Sequence, residues 1–336
     1  MPVVHIGPRT WIRSRPVALA MTLVLALLSG VIGCTNLKDA QPPAAHPLLG
    51  KIWDVKRGAE ISKDALLREA GTAQYLLLGE VHDNPEHHRH QAEVLRALIA
   101  QGRRPALAME QFDREYQPAI DAVLAQSGGA SESGAEAIAE AGKFDRKGWD
   151  WPLYEPLLAI AAQARLPIVA INLSRNRTRD VARQGFASLG EGAIARLGLD
   201  ANDWSPAQQA IEAHEIDDGH CGQLPPSATP RMIDVQRARD ATMADAIVSK
   251  GAYTGAVVIA GDGHARNDVG VPFYLARRAP GKRVMSIGLV EVDPDQRTVN
   301  EYVRPPAKAL PFDYVWFTSA TGREDPCAGF VMPARP

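Results

Sequence analysis

YLLLGEVHDNPEHHRH, from Tyr75 to His90, is the stretch that decides the fold. Tyr75-Leu76-Leu77-Leu78 is an apolar run of buried-strand length, and Gly79 closes it. Glu80 and His82 follow at spacing two, so both side chains leave on one face if the strand persists that far. Asp83 or Asn84 can cap the next helix, Pro85 suits its first position, and Glu86 suits its positive end. The stretch therefore predicts a strand, a polar turn and a helix, with a carboxylate and an imidazole at the strand's carboxyl end. In an open α/β sheet that is where ligands bind.

The same alternation continues outward. Strands are expected at Ile52 to Val55, Pro105 to Phe112, Leu166 to Leu173, Gly255 to Ala260, Val284 to Val292 and Val299 to Val303, with a strand or packed tail at Phe312 to Phe317. Helices are expected at Ser62 to Ala70, Glu86 to Gln101, Asp113 to Gln126, Trp151 to Ala164, Ala182 to Leu197, Ala207 to Asp217 and Arg231 to Lys250. A loop and helix follow from Asn267 to Arg277. This order predicts an α/β fold: a parallel-rich central sheet with helices on both faces. The helical insertions, about 113–164 and 174–250, are longer than a simple crossover needs and are expected to form a helical lid over the carboxyl edge.

Before the domain lies a different kind of segment. Arg9, Arg13 and Arg15 precede an apolar run from Val17 to Leu28, and Val31-Ile32-Gly33-Cys34 follows. This is the pattern of an export signal, and it resembles a bacterial lipobox. Residues 1–33 are read as a lipoprotein signal peptide, Cys34 as the lipidated residue and 34–50 as a tether to a domain spanning 51–330. Thr35 and Asn36 after the cysteine fit anchoring to the outer membrane, facing the periplasm. Such a compartment permits a disulfide between Cys221 and Cys327, which is the expectation; two free thiols is the alternative. A net charge of −2, with no long basic run, argues against a nucleic-acid partner.

Four strand ends carry polar groups: Glu80 and His82, Glu110, Asn172, and Asp262 with His264. All should reach one rim. Two carboxylates and two imidazoles (Glu80, His82, Glu110 and His264) suit a divalent metal ion or acid–base chemistry. Read singly, each is an ordinary polar residue at a strand end. His87 shares a helix face with His90 and could act as a ligand, whereas His88 reads as part of a solvated first turn. Arg175, Arg177, Arg179 and Arg266 have the geometry for carboxylates, or are surface charges. Tyr154 and Tyr274 can supply a phenolate to ferric iron, or pack in the core. His214, His220 and Cys221 fall in or beside one turn. No GxSxG, P-loop, HExxH or CxxCH motif is present, so serine hydrolases, nucleoside triphosphatases and c-type cytochromes lack support.

GEVHDN at Gly79 to Asn84, AMEQF at Ala108 to Phe112 and GDGHARNDVGVPFYLA at Gly261 to Ala276 resemble the ChaN-like haem-binding lipoproteins. FDYVWFT at Phe312 to Thr318 and EDPCA at Glu324 to Ala328 are similar to family members too. The resemblance implies an envelope lipoprotein that binds haem and serves haem and iron acquisition. Its wider superfamily resembles Tiki-type metalloproteases and erythromycin esterases. Carried over residue by residue, Glu80, His82, Glu110 and His264 are the motif positions, with Asn84, Asn172, Asp262 and Arg266 beside them as ligand-binding candidates. The motif does not place an axial ligand; Tyr154, His87 and Tyr274 are the candidates. The leading expectation is haem binding without turnover. The alternative is a metal-dependent or acid–base hydrolase using the same four residues. A homodimer covering exposed apolar lid surface is a further expectation.

Overall fold

The computed structural model describes residues 46–126, 134–199, 204–251, 254–323 and 327–328. The segment read as an export signal, the expected lipidation site Cys34 and most of the expected tether lie outside the described residues. Among those described, no helix is long and apolar enough to cross a membrane.

The chain runs β1 (Ile52–Asp54), β2 (Ala59–Ile61), α1 (Lys63–Thr72), β3 (Tyr75–Glu80), α2 (Pro85–Ala100), β4 (Ala106–Asp113), α3 (Gln117–Gln126), α4 (Gly134–Ala141), α5 (Trp151–Gln163) and β5 (Ile168–Asn172). It continues through α6 (Arg175–Gln184), α7 (Glu191–Leu197), α8 (Pro206–Gly219), α9 (Thr229–Gly251), β6 (Ala256–Gly261), α10 (Asp262–Ala265), α11 (Val271–Arg278), β7 (Val284–Glu291) and β8 (Tyr314–Thr318). The sheet order is β2-β1-β8-β7-β3-β6-β4-β5. From β8 to β5 every pairing is parallel; only the β1–β2 and β1–β8 pairings are antiparallel.

The decisive stretch occupies the middle of this sheet, between β7 and β6. All six β3 residues are buried, as a central parallel strand requires. Successive side chains serve opposite cores. Leu76 and Leu78 join a cluster with Leu66, Leu95, Leu107 and Leu157, under α1, α2, α4 and α5. Tyr75 and Leu77 join the other, with Val181, Ala241, Ile247 and Leu275, under α6, α9 and α11. Helices thus cover both faces, as expected. Asn84 is the cap of α2: its side chain accepts from the Glu86 and His87 amides, and Pro85 opens the helix.

Three expectations are corrected. Ala182 to Leu197 is not one helix: α6 begins at Arg175 and ends at Gly185 (φ 69°), a 3₁₀ segment follows, and Gly190 (φ 84°) precedes α7. Val299–Tyr302 is a 3₁₀ turn rather than a strand. There the Thr298 and Glu301 side chains form a capping box, and these local bonds prevail over the alternating pattern. His88 is 4% exposed rather than solvated, because its Nε2 donates to the His82 carbonyl at 2.9 Å. The expected disulfide is present: Cys221 and Cys327 are joined, with Cα atoms 5.4 Å apart, across 106 residues of chain.

Candidate functional site

The four motif residues do meet at the carboxyl edge of the sheet. Two glycines make room for them. A Cβ on Gly79 would lie 2.3 Å from Asp262 Oδ1, and one on Gly261 would lie 3.0 Å from the His82 ring. The β4–β5 register shifts between Met109 and Asp113, and β4 leaves β6 after Met109. Glu110 falls in that irregularity, and its Oε2 accepts the Gly261 amide at 2.9 Å.

The four residues form two carboxylate–imidazole systems, in which Glu80, Glu110 and His264 are buried and the His82 ring is exposed. Glu80 Oε1 accepts from the Tyr154 hydroxyl at 2.6 Å and His82 Nδ1 at 2.9 Å, while Oε2 accepts from Gln91 Nε2 at 2.6 Å. Glu110 Oε1 accepts from Arg239 Nη2 at 2.7 Å and lies 3.6 Å from His264 Nε2. His264 Nδ1 is bonded to Asp240 Oδ1 at 2.5 Å. Burial pushes the Glu80 carboxyl up, but the His82 hydrogen bond, the neighbouring imidazoles and Tyr154 outweigh it and hold it below the usual range. Glu110 follows the same logic: burial raises it, and His264, Arg239 and His82 bring it down to about 2. Asp262 differs. Burial and the Glu80 charge push its carboxyl up to about 7.

The divalent ion expected on Glu80, His82, Glu110 and His264 finds no support. Among the described residues, no three His, Cys, Asp or Glu side chains are grouped to hold a metal. The physical reason is that Tyr154, His82, Gln91, Arg239 and the Gly261 amide already occupy the carboxylate oxygens. Two of the ligand-binding candidates beside them, Asn84 and Arg266, are also engaged. Asn84 Nδ2 donates to Glu291 and to the Ser319 carbonyl. Arg266 pairs with Glu215 and Asp268.

The axial candidates are all buried. His87 is fully buried; its Nδ1 accepts the Val81 amide at 2.9 Å and its Nε2 bonds Thr318 Oγ1 at 2.7 Å, so both nitrogens are spent. Tyr154 is fully buried and committed to Glu80. Tyr274 is 3% exposed and packs in the core beneath α9 and α11.

Beside this network, at the carboxyl ends of β4 and β5, lies a cleft of about 560 Å³. Gln111, Asn172, Trp149 and Arg239 face it, and they also touch the buried network. Leu173, Ile216, Met232 and Val235 supply apolar wall. Lys143 and Arg175 add exposed cations at its edge. Glu212, Glu215, Ile216, Gly219 and His220 line it from α8 and the residue after it, so this helix is the lid element of the long insertion.

Tyr116 and His220 line the same cleft, and both are half-buried. Tyr116 belongs to a 3₁₀ turn, Arg114–Tyr116, straight after β4. The sequence reading overlooked it, although a tyrosine three residues beyond a strand end is the available signal. His220 was visible only as one of several polar residues in a turn. Its Nδ1 donates to the Ile216 carbonyl at 2.7 Å, which leaves Nε2 as the acceptor nitrogen of the neutral ring. Arg239 and Asp240 were missed because they sit inside a long helix, α9, with nothing in its pattern to separate a charge at the site from a charge in solvent.

The fold has counterparts among solved structures. ChaN of Campylobacter jejuni, solved for its cofacial haem binding, superposes with a TM-score of 0.60 at 20% identity, over 79% of this chain and 95% of that one. More distant are the type III effector HopBA1 (TM-score 0.41, 15% identity, 77% of this chain and 93% of that one) and an erythromycin esterase mutant in its open conformation (0.38, 13%, 76% and 78%). No curated protein matches the sequence. The sequence model of the family described as "Haem-binding uptake, Tiki superfamily, ChaN" matches residues 66–275, more than half of the chain. By that match, and with the α/β fold agreeing, the chain belongs to the ChaN haem-binding uptake family.

Proposed function

We propose that this protein is an envelope lipoprotein that binds haem in the cleft beside β4 and β5 and serves haem and iron acquisition. The observation that carries the reading is the make-up of the cleft. Its volume, about 560 Å³, falls within the roughly 300–1,000 Å³ of small-molecule and cofactor sites. It combines apolar walls, two side chains of axial type in Tyr116 and His220, and the cations Lys143 and Arg175 for propionates. The residues present therefore fit the group. When bound, haem would bring a redox-active iron; the protein would hold the macrocycle between α8 and the end of β4 and limit its access to water.

The lipobox at Cys34 supports anchoring by lipid, and we place the anchor in the outer membrane with the domain in the periplasm. The Cys221–Cys327 disulfide supports an oxidising compartment. Cofacial binding belongs to the Campylobacter protein; here we carry over haem, not that arrangement. A homodimer would be read by sedimentation with and without haem.

The test is a haem titration of the full chain in detergent, followed by absorbance. A saturable, shifted Soret band is expected, weakened several-fold when Lys143 and Arg175 are both changed to Glu. Absence of saturation would overturn the reading. The hydrolase alternative gains nothing from the geometry, since the carboxylates it needs are held in closed hydrogen-bond systems.

A further inference from the structure

Taking the chain as lipid-anchored through Cys34, as proposed above, we infer that the exposed side of α6 is a docking surface for an anionic phospholipid bilayer. It holds the domain, by charge, against the membrane to which the tether confines it.

The helix reads RNRTRDVARQ, Arg175–Gln184, and its buried residue is Val181. Arg175, Arg179 and Arg183 follow one another at four-residue steps and so run along one side of the helix, with Arg177 on the opposite flank. All four are exposed. Asp180 is the single acid, so four arginines against one aspartate leave a net charge of +3 on ten residues, in a chain that carries −2 overall. Three of the chain's other cations, Arg9, Arg13 and Arg15, belong to the segment read as an export signal, which sets the stripe further apart from the rest of the domain.

Elsewhere arginines are spent on neighbours. Arg114, Arg196 and Arg278 all pair with Asp245, and Arg323 pairs with Asp83 and Glu291. Among the described residues, none of the four α6 arginines sits in a salt bridge, and Asp180 bridges none of them. Like charges four residues apart destabilise a helix. α6 carries two such pairs, Arg175 with Arg179 and Arg179 with Arg183, and no carboxylate is placed to offset them. An anionic surface outside the protein does so.

The chemistry of the stripe selects a bilayer over an acidic protein. Protein interfaces take aromatic or aliphatic anchors at their centre. Beside its arginines, α6 offers solvent only Asn176 and Gln184. An anionic leaflet needs cations alone, each adding about fivefold to the partition. The tether points the same way. The described chain begins at His46, and the residues between Cys34 and that point reach at most about 40 Å when extended. Leu48 packs against the core that contains Val181, so the chain enters on the sheet face that α6 covers. Gly50 bonds the Phe317 carbonyl of β8, and β5 lies five strand spacings away, about 24 Å, which is within that reach. Leu49, at 40%, is the only large apolar side chain exposed among the described residues, and it sits beside the tether. So short a tether gives the membrane a high effective concentration, and a few weak contacts then suffice.

The experiment reconstitutes the full lipidated chain into vesicles of phosphatidylcholine alone, or of phosphatidylcholine and phosphatidylglycerol at two to one. Flotation with the neutral vesicles reads the anchor. If the chain does not float with them, the anchor reading fails and this inference falls with it. If it floats, arginine modification by phenylglyoxal, mapped by mass spectrometry, decides the docking separately. Arg177, Arg179 and Arg183 are expected to react at least threefold more slowly on the anionic vesicles, and the difference should vanish in high salt. Arg68, exposed on α1 across the sheet, should react equally on both. Arg179→Glu, a change at an exposed position, should still float and should lose at least half of the protection at Arg177 and Arg183. Equal rates at the stripe on the two vesicles, or an equal slowing at Arg68, would overturn the docking while leaving the anchor intact. Protection that survives Arg179→Glu unchanged would overturn it too.

Discussion

The Tyr154 hydroxyl donates to Glu80 Oε1 at 2.6 Å, and both side chains are buried at the carboxyl edge of the sheet. This bond joins α5, from one long insertion, to the central strand β3. Burial and the Glu80 charge push the phenol well above its ordinary range, so it stays protonated and acts as a donor.

Tyr154→Phe should therefore cost stability and spare ligand binding. Glu80 keeps His82 and Gln91, so the loss should be about 1–2 kcal/mol in urea unfolding. Haem affinity should be unchanged, because Tyr154 is not among the cleft residues. A lost Soret band in this variant would place the haem elsewhere.

Acid should destabilise the protein in two windows. Burial depresses His87 from 6.5 to about 4, so its folded state resists protonation. The unfolded chain then binds the extra proton, and stability falls as pH drops from about 6.5 to about 4. The full effect is on the order of 3 kcal/mol. Glu110 acts lower. Its folded value near 2 gives stability that is complete above 4.5 and lost as pH falls toward 2. Denaturant midpoints measured across pH should show the upper window flattened in His87→Gln and the lower one retained.

Asp262 should behave in the opposite sense. Its folded value, raised from 3.8 to about 7, means that the folded state holds the proton more tightly. Stability is then fully present below 3.8 and is lost as pH rises through 7. Asp262→Asn should accordingly match the parent at pH 4 and exceed it by about 1–3 kcal/mol at pH 8. A variant less stable than the parent at pH 8 would show that the carboxylate is needed in charged form.

Arg239 holds Glu110 at 2.7 Å and Asn172 at 3.3 Å, between the cleft and the buried network. Arg239→Ala leaves a buried carboxylate without its guanidinium partner, and a loss of about 3–5 kcal/mol is expected by chemical denaturation. Arg239→Gln should recover part of it by keeping a donor. Equal losses in the two variants would argue that side-chain packing, not the ion pair, is at stake.

Local sequence determined a great deal. The run Tyr75 to Leu78, with a polar pair beyond it, reads as a buried strand, and Asp83 or Asn84 followed by Pro85 reads as a helix start. Strand and helix alternation then dictated a parallel sheet, and the four motif residues at strand ends had to share one rim. These readings succeeded because each depends on neighbours within a few residues. Tertiary structure decided what the rim does. Whether Glu80 and Glu110 are open to an ion depends on Tyr154, Gln91 and Arg239, which arrive from three different helices. Whether His87 or His220 has a nitrogen to offer depends on an amide, a hydroxyl and a carbonyl. Hydrogen-bond capacity is used up by partners that are close in space and distant in the chain, and no periodicity or motif records which lone pair remains.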